Sequence, residues 1–243
     1  MNIQTQKESK EGIELPAAEQ NIRKWFEAIK EKGSLDNVPS IENFNRFMGP
    51  YLTISRQAGI PVQKITQIVG KKLGWDVLDK DLLEILADSY NLPHAVVEFL
   101  DEKRENWIHE FFGQWMDKRA ISQLTYVRRL GKIMLLAAQH GKVIFVGRGA
   151  TWILPRENGV AIRLVASENF RINEVQESQG LKRRDAKKEI EKLEKERNDF
   201  QHKYLFGNVT DSNQYDLAVN VGKFGVERTA DIILQVVQNH VED

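Results

Sequence analysis

Short apolar segments alternate in this chain with longer segments of helical periodicity, and this alternation constrains the fold more than any other feature. Between the apolar segments, hydrophobic residues recur at three- and four-residue spacing, as on one face of a helix. Parallel strands require crossovers of this kind, so we predict a five-stranded parallel sheet in a three-layer α/β/α sandwich. The predicted strands are Tyr51–Ser55, Trp75–Leu78, Val143–Val146, Ala161–Val165 and Tyr215–Val221.

Terminal signals place the ends of several helices. Gly74 follows the periodic segment Val62–Leu73 and is typical of a C-terminal cap. Ser167 stands directly before Glu168, where a hydroxyl can cap a new helix. Further on, the pattern predicts a long charged helix or helix pair over 181–204 and a last amphipathic helix over 226–241.

The region before the first strand has a different character. Residues 1–14 offer almost nothing to bury, and an amphipathic helix is predicted from Pro16 to Lys32. We expect residues 1–49 to be an N-terminal tail and helix, and residues 50–243 to be one domain. Within that domain we expect a helical insert over about 88–141 and a charged, lid-like region over about 180–206. The N-terminal helix either packs on its own domain or mediates a homodimer.

Composition excludes several classes of protein. Lys and Arg together number 35, as do Asp and Glu, so no net charge favours nucleic acid or an anionic membrane. There is no cysteine, which excludes disulfides and thiolate metal sites. The longest apolar runs are too short to span a bilayer, and the first residues lack the apolar stretch of a signal peptide. We expect a cytoplasmic protein with no nucleic-acid or membrane partner and no metal held by its own residues.

Ligands of open parallel sheets bind beyond the carboxyl ends of the strands, so the loops that follow the strands are the candidate sites. The loop after the first strand, Ser55–Thr66, could present backbone N–H groups to an anion. It keeps only Gly59 of the glycines that a phosphate loop needs, and Pro61 lacks an N–H group. By spacing alone, an ordinary strand–helix turn is the favoured interpretation of this loop.

Charged residues after the other strands are further candidates. Arg148 stands between Gly147 and Gly149, where it could clamp a phosphate or be a surface arginine in a turn. Asp79 and Asp81 could orient a ligand or help to hold Mg²⁺, and one of them could cap the next helix.

Six motifs, in order along residues 50–240, resemble those of the cytidylate kinase-like family, a branch of the P-loop kinases. They are Ile54-Ser55-Arg56-Gln57-x-Gly59, Asp79-Lys80-Asp81-Leu82, Val146-Gly147-Arg148-Gly149-Ala150, Val165-Ala166 with Arg171, Glu194–Phe200 around Arg197, and Tyr215-Asp216-Leu217-Ala218-Val219-Asn220. The resemblance implies a P-loop kinase-like fold and an ATP-dependent, Mg²⁺-assisted transfer of phosphate to a small acceptor. A nucleoside monophosphate such as CMP is the acceptor that it suggests.

The resemblance also implies roles for individual residues. Arg148 would grip the acceptor's phosphate, while Arg183, Arg184 and Arg197 would close over the transferred group. The alternative for the charges of this helix is a solvated surface with paired side chains. The remaining nucleotide- and phosphate-binding candidates are Ser55, Arg56, Gly59, Lys64, Thr66, Asp79, Asp81, Gly147, Gly149 and Arg171.

One departure from the family pattern bears on activity. Where the family has Ser-Gly-Gly, this chain has Ile60-Pro61-Val62, which places side chains where backbone should wrap a phosphate. The alternative function is therefore a catalytically impaired, nucleotide- or anion-binding regulatory module on the same fold.

Overall fold

The computed structural model describes residues 48–81, 83, 130–131, 133–135, 137–204 and 208–242. The predicted N-terminal helix, with its homodimer alternative, lies outside these residues. So does most of the predicted helical insert, of which the described part of 130–140 is helical. Within the described part of the chain, no helix is both long enough and apolar enough to cross a membrane.

A five-stranded parallel sheet forms the centre of the fold, as predicted. The strands are β1 (Tyr51–Arg56), β2 (Asp76–Leu78), β3 (Val143–Val146), β4 (Gly159–Val165) and β5 (Leu217–Asn220). Their order is β2-β3-β1-β4-β5, and every neighbouring pair is parallel. Because β1 is central, the chain that leaves it is flanked by the ends of β3 and β4. β5 begins two residues later than predicted, since a 3₁₀ turn at Ser212–Gln214 precedes it.

The helices follow the predicted pattern, with differences at their ends. They are α1 (Val62–Leu73), α2 (Ala150–Ile153), α3 (Glu168–Gln179), α4 (Arg183–Tyr204) and α5 (Val221–Glu242). Gly74 caps α1 in a left-handed conformation, and Ser167 accepts a hydrogen bond from the N–H of Phe170, which confirms both predicted caps. α5 starts earlier than predicted and is kinked at Gly225, the residue before the predicted start. The four-residue α2 was not predicted, because it is too short to show a period.

The main core lies between one face of the sheet and the helices α1 and α5. Alternate residues of β1, β3 and β4 point to this face, as the period of a strand requires. They bury against side chains of the two helices, and the contributors include Leu52, Ile54, Ile144, Ile162, Ile65, Val69, Ile233 and Val237. Removing this apolar surface from water is the principal stabilisation of the fold.

The opposite face of the sheet is also covered. Thr53 of β1 and Thr151 of α2 are buried, and their hydroxyl oxygens are 3.1 Å apart. Gly131, in the helical segment 130–140, faces Ile153 of α2, so that segment lies beside α2. Helices on both faces make the predicted three-layer sandwich.

A smaller apolar cluster joins α3 and α4 to the loop after β1. It consists of Ala58, Ile172, Val175, Ala186 and Ile190. The lid-like region predicted over 180–206 is thus largely one helix, α4, and it rests on that loop.

Candidate functional site

The loop between β1 and α1 is held from two sides. Gln57 donates its N–H to the carbonyl of Leu164 and accepts from the N–H of Ala166 on its side-chain oxygen, which ties the loop to the end of β4. At Gly59 (φ 82°), a Cβ would lie 2.9 Å from Cβ of Arg171 and 3.1 Å from Cδ1 of Ile190. α3 and α4 therefore pack closely against one side of Gly59, which stays partly exposed.

The next three residues turn inward. Ile60 and Val62 are 7% and 3% exposed and belong to the main core. The N–H of Val62 donates to the carbonyl of Ile60 at 2.7 Å, and Pro61 has no N–H to donate. Two donors that a phosphate loop would direct at a ligand are thus absent or engaged. With α3 and α4 also crowding one side of Gly59, this arrangement does not fit a triphosphate held on the loop.

A cavity of about 340 Å³ lies instead beside this loop, at the carboxyl ends of β1 and β3. Four of the described arginines, from different elements, line it: Arg56 at the end of β1, Arg148 after β3, Arg163 in β4 and Arg197 in α4. The parallel sheet brings the backbones of Arg56, Arg148 and Arg163 to one edge, where ligands of such sheets bind, and α4 adds the side chain of Arg197.

Fourteen site residues were predicted from the sequence, and the structure brings six of them to this cavity. Those that line it are Ser55, Arg56, Gly147, Arg148, Gly149 and Arg197. Those that are described but do not line it are Gly59, Lys64, Thr66, Asp79, Asp81, Arg171, Arg183 and Arg184.

Arg56 has the most unfavourable electrostatic position. Burial, and then the positive charges of Arg197, Arg148 and Arg163, lower its pKa to about 9, while Asp79 opposes this effect. The side chain remains cationic at neutral pH. Its Nε is buried and makes no hydrogen bond to any described residue.

Arg148 sits in a run of left-handed backbone. The φ angles of Gly147, Arg148 and Gly149 are 76°, 49° and 75°, and positive φ is uncommon for a residue with a side chain. The guanidinium carbon of Arg148 is 5.5 Å from the ring centroid of Phe200. Burial lowers its pKa and the charge of Asp81 raises it. The backbone is thus held in a strained form that delivers this side chain to the cavity.

Arg163 is a cavity residue that sequence reasoning missed. Its Nη1 donates to Oγ of Ser55 at 2.6 Å, and its guanidinium carbon is 5.8 Å from the ring centroid of Tyr215. Burial lowers its pKa, which the negative character of Tyr215 opposes. The signal was present in the sequence, because Arg163 is the only charged residue in the apolar segment Ala161–Val165. Trp152 on α2 was also missed; it lines the cavity, and its ring contacts Tyr215 edge to face.

Arg197 reaches the cavity from α4. Its Nη1 donates to the carbonyl oxygen of Arg56 at 3.2 Å. Burial lowers its pKa, and the charge of Glu194 opposes that shift. This contact brings the helix over the end of β1.

Arg171 has a structural environment. It is 8% exposed, and its Nη1 donates to the carbonyl of Ala58 at 3.1 Å and to Glu194 at 2.6 Å. It therefore links α3 and α4 to the loop. Arg183 is exposed and donates to Asn169 and Asn173 of α3. Arg184 is exposed as well, so a contact of these last two with a transferred phosphate stays a prediction.

The remaining predicted residues lie around the loop and β2. Lys64 is exposed on α1, whereas the hydroxyl of Thr66 is buried and donates to the carbonyl of Gln63. Asp79 and Asp81 follow β2 and act electrostatically on Arg56 and Arg148. The helix that one of them was predicted to cap lies mostly outside the described residues. Among the residues that the structure describes, no group of three or more acidic or histidine side chains could hold a metal ion.

Asp216 is exposed and has a structural role. It accepts a hydrogen bond from the N–H of Ala161 at 2.7 Å and pairs with Arg156. The Tyr-Asp-Leu motif thus fastens the start of β5 to β4.

Solved structures show where this architecture recurs. The crystal structure of an uncharacterized protein from Eubacterium ventriosum ATCC 27560 superposes with a TM-score of 0.63 at 21% identity, covering 78% of this chain and 98% of that one, and shows the same fold. More distant matches are a shikimate kinase from Bacteroides thetaiotaomicron (TM-score 0.41, 9% identity, 78% and 98% covered) and a dephospho-CoA kinase from Campylobacter jejuni (TM-score 0.33, 12% identity, 81% and 100% covered). No match was found among curated proteins.

The sequence itself supplies the assignment that the resemblance predicted. Residues 51–223 match the cytidylate kinase-like family as a whole, from the start of β1 to beyond the end of β5. That range contains the loop after β1, the Gly-Arg-Gly turn and all four arginines of the cavity. The fold is accordingly a P-loop kinase-like sandwich, and the chain belongs to the cytidylate kinase-like family.

Proposed function

We propose that this chain is a phosphotransferase that holds the phosphate of a small acceptor in its arginine cavity. The observation that carries the proposal is the convergence of Arg56, Arg148, Arg163 and Arg197 on one cavity at the carboxyl edge of the sheet. Guanidinium groups bind phosphate oxygens in bidentate fashion. The cavity volume, about 340 Å³, lies within the range of small-molecule sites.

The lining supports a nucleotide as the acceptor. Trp152 and Phe200 offer aromatic surface for a base, while Asn198 and Gln201 offer amide groups that could hydrogen-bond to its edge. The family indicates a nucleoside monophosphate, and CMP is the first acceptor to test. In this assignment Arg148 and Arg197 orient the acceptor's phosphate and neutralise its charge, which is the protein's principal contribution to phosphoryl transfer.

ATP with Mg²⁺ is the donor that the family implies. When bound, ATP would supply the phosphoryl group and Mg²⁺ would neutralise its oxygens. The loop after β1 does not fit a triphosphate in the described arrangement, since Pro61 has no N–H group, the N–H of Val62 is engaged, and α3 and α4 crowd one side of Gly59. We therefore assign the acceptor site to the cavity and assign no residue of that loop to the donor.

The second candidate function is a regulatory module that binds a nucleotide or another anion without transferring phosphate. The crowding of one side of Gly59 by α3 and α4 and the burial of Ile60 and Val62 favour it. Both functions use the same cavity, so binding alone does not distinguish them.

The test is a transfer assay combined with calorimetry. The chain is incubated with γ-labelled ATP, Mg²⁺ and each of a panel of monophosphates that includes CMP. We expect label on one acceptor and its loss in Arg148→Ala, whereas Arg228→Ala, at an exposed position on α5 outside the cavity, should behave as wild type. Binding of CMP without transfer to any acceptor would support the regulatory module instead. Neither binding nor transfer would refute both.

A further inference from the structure

We propose that Arg163 and Arg56 form the inner part of the anion site, so that this chain binds a multiply charged phosphate on side chains rather than on the loop after β1. This deepens the proposed function and rests on its assignment of the ligand to the cavity. The ligand class is a phosphate monoester dianion or a more highly charged phosphate.

Arg56 lacks a hydrogen-bond acceptor for its guanidinium among the described residues. Its guanidinium donates no hydrogen bond to any residue that the structure describes, and its Nε is shielded from solvent. Shielded cationic groups in proteins are normally hydrogen-bonded and paired with an anion. Here the neighbours include three further arginines, with Asp79 as an opposing charge. An anion from outside the chain would supply the missing partner.

Contacts with Ser55 and Tyr215 fix the orientation of the Arg163 guanidinium. Ser55 and Arg163 are register partners in adjacent parallel strands, so their side chains share one face of the sheet, while Arg56 is the last residue of β1 and reaches the cavity from the strand end. One nitrogen of Arg163 donates to Ser55, and the ring of Tyr215 lies beside its guanidinium. Neither partner is a carboxylate, so they orient the side chain without forming an ion pair with it. A guanidinium group that is oriented but not ion-paired is suited to bind a phosphate.

Basic side chains outnumber acidic ones among the described residues of the cavity lining. Among the described residues that line the cavity, five are basic, namely Lys80 and the four arginines, and two are acidic, namely Glu194 and Glu196. Glu194 is already paired with Arg171, at 2.6 Å. The described lining therefore carries more positive than negative charge, and a ligand with two or more negative charges would offset the difference.

The indole N–H group of Trp152 lacks an acceptor among the described residues. Nε1 of Trp152 is buried and forms no hydrogen bond with any described residue, although Trp152 lines the cavity. Buried N–H groups of this kind are rare in native proteins and usually have a partner. A phosphate or ligand oxygen at the inner end of the cavity would accept from it.

The test compares sulfate and CMP as probes in titration calorimetry, with thermal unfolding of the ligand-free chain alongside. The variants are Arg163→Gln, Arg163→Lys and Arg56→Met, with Arg228→Gln as the control at an exposed site. We expect Arg163→Gln and Arg56→Met to bind both probes about tenfold or more weakly, and Arg163→Lys to bind with intermediate affinity. Arg228→Gln should match wild type.

Thermal unfolding separates this role from a structural one. Because Arg56 lies among like charges and donates no hydrogen bond to a described residue, Arg56→Met should unfold at the same temperature as wild type or higher when no ligand is present. A lower unfolding temperature together with unchanged affinity for both probes would overturn the proposal. Unchanged affinity in Arg163→Gln would also overturn it.

The two proposals can fail independently. If sulfate and CMP bind through Arg163 but no label is transferred, the inner anion site stands and the phosphotransferase fails. If label is transferred to an acceptor while Arg163→Gln keeps full affinity, the phosphotransferase stands and the inner anion site fails.

Discussion

The guanidinium of Arg56 occupies the space that a side chain at Gly147 would need. A Cβ built on Gly147 would collide with Nη1 of Arg56, which leaves room for hydrogen alone at that position. The first glycine of the Gly-Arg-Gly turn thus leaves space for the guanidinium of Arg56. The ends of β1 and β3 can then place two arginines against one cavity.

Substituting Gly147 tests that relationship. Gly147→Ala should displace the Arg56 guanidinium and weaken sulfate binding about tenfold, measured by calorimetry. It should also lose about 1–2 kcal/mol of unfolding free energy, because an alanine at a positive φ is strained. Gly74→Ala is the matched control: its φ of 67° imposes a similar strain, but its Cβ would meet nothing within 4 Å. Equal sulfate affinity in the two variants would contradict a role for Gly147 in placing Arg56.

The lowered pKa of Arg56 predicts a dependence on pH. Folding lowers this pKa from 12.5 to about 9, so the unfolded chain holds the proton more tightly than the folded one. The charged form of Arg56 therefore lowers the stability of the folded chain in full below pH 9, and this loss of stability is relieved as the pH rises through that value. With rising pH, the ligand-free chain should gain stability relative to Arg56→Met, while its affinity for sulfate should fall.

Calorimetry from about pH 7 to about pH 10 measures the predicted fall in affinity for sulfate, since sulfate keeps its charge over that range. Arg56→Met provides the baseline for every other group that titrates. If wild type and Arg56→Met lose sulfate affinity in parallel as the pH rises, Arg56 is not the group responsible.

The buried pair of Thr53 and Thr151 predicts a non-additive result. Their hydroxyls are 3.1 Å apart, with the two residues 3% and 6% exposed. Thr53→Val should cost about 1–3 kcal/mol of unfolding free energy, because the hydroxyl of Thr151 loses its partner. The double variant Thr53→Val, Thr151→Val should recover part of that loss, as denaturant unfolding of all four chains would measure. Strictly additive losses would show that the two hydroxyls do not interact.

The parallel sheet, the order of helices and strands and two helix caps followed from the sequence alone. These features depend on local patterns: the period of apolar residues, Gly74 after α1 and Ser167 before α3. The Gly-Arg-Gly turn was recognised for the same reason, since glycines on both sides of an arginine at a strand end are visible in one short segment. Each of these signals depends on residues that are close together in the chain.

The identity of the ligand-facing surface was decided by the tertiary structure. Gly59 was predicted to contact phosphate, yet α3 and α4, more than a hundred residues later in the chain, crowd one side of it through Arg171 and Ile190. Arg163 lies in an apolar strand and reaches the cavity only because β4 pairs with β1 in the register that sets it beside Ser55. Contacts between segments so far apart depend on strand order and helix packing. Local sequence patterns determined the elements, and their assembly determined which charged side chains face the cavity and which are engaged elsewhere.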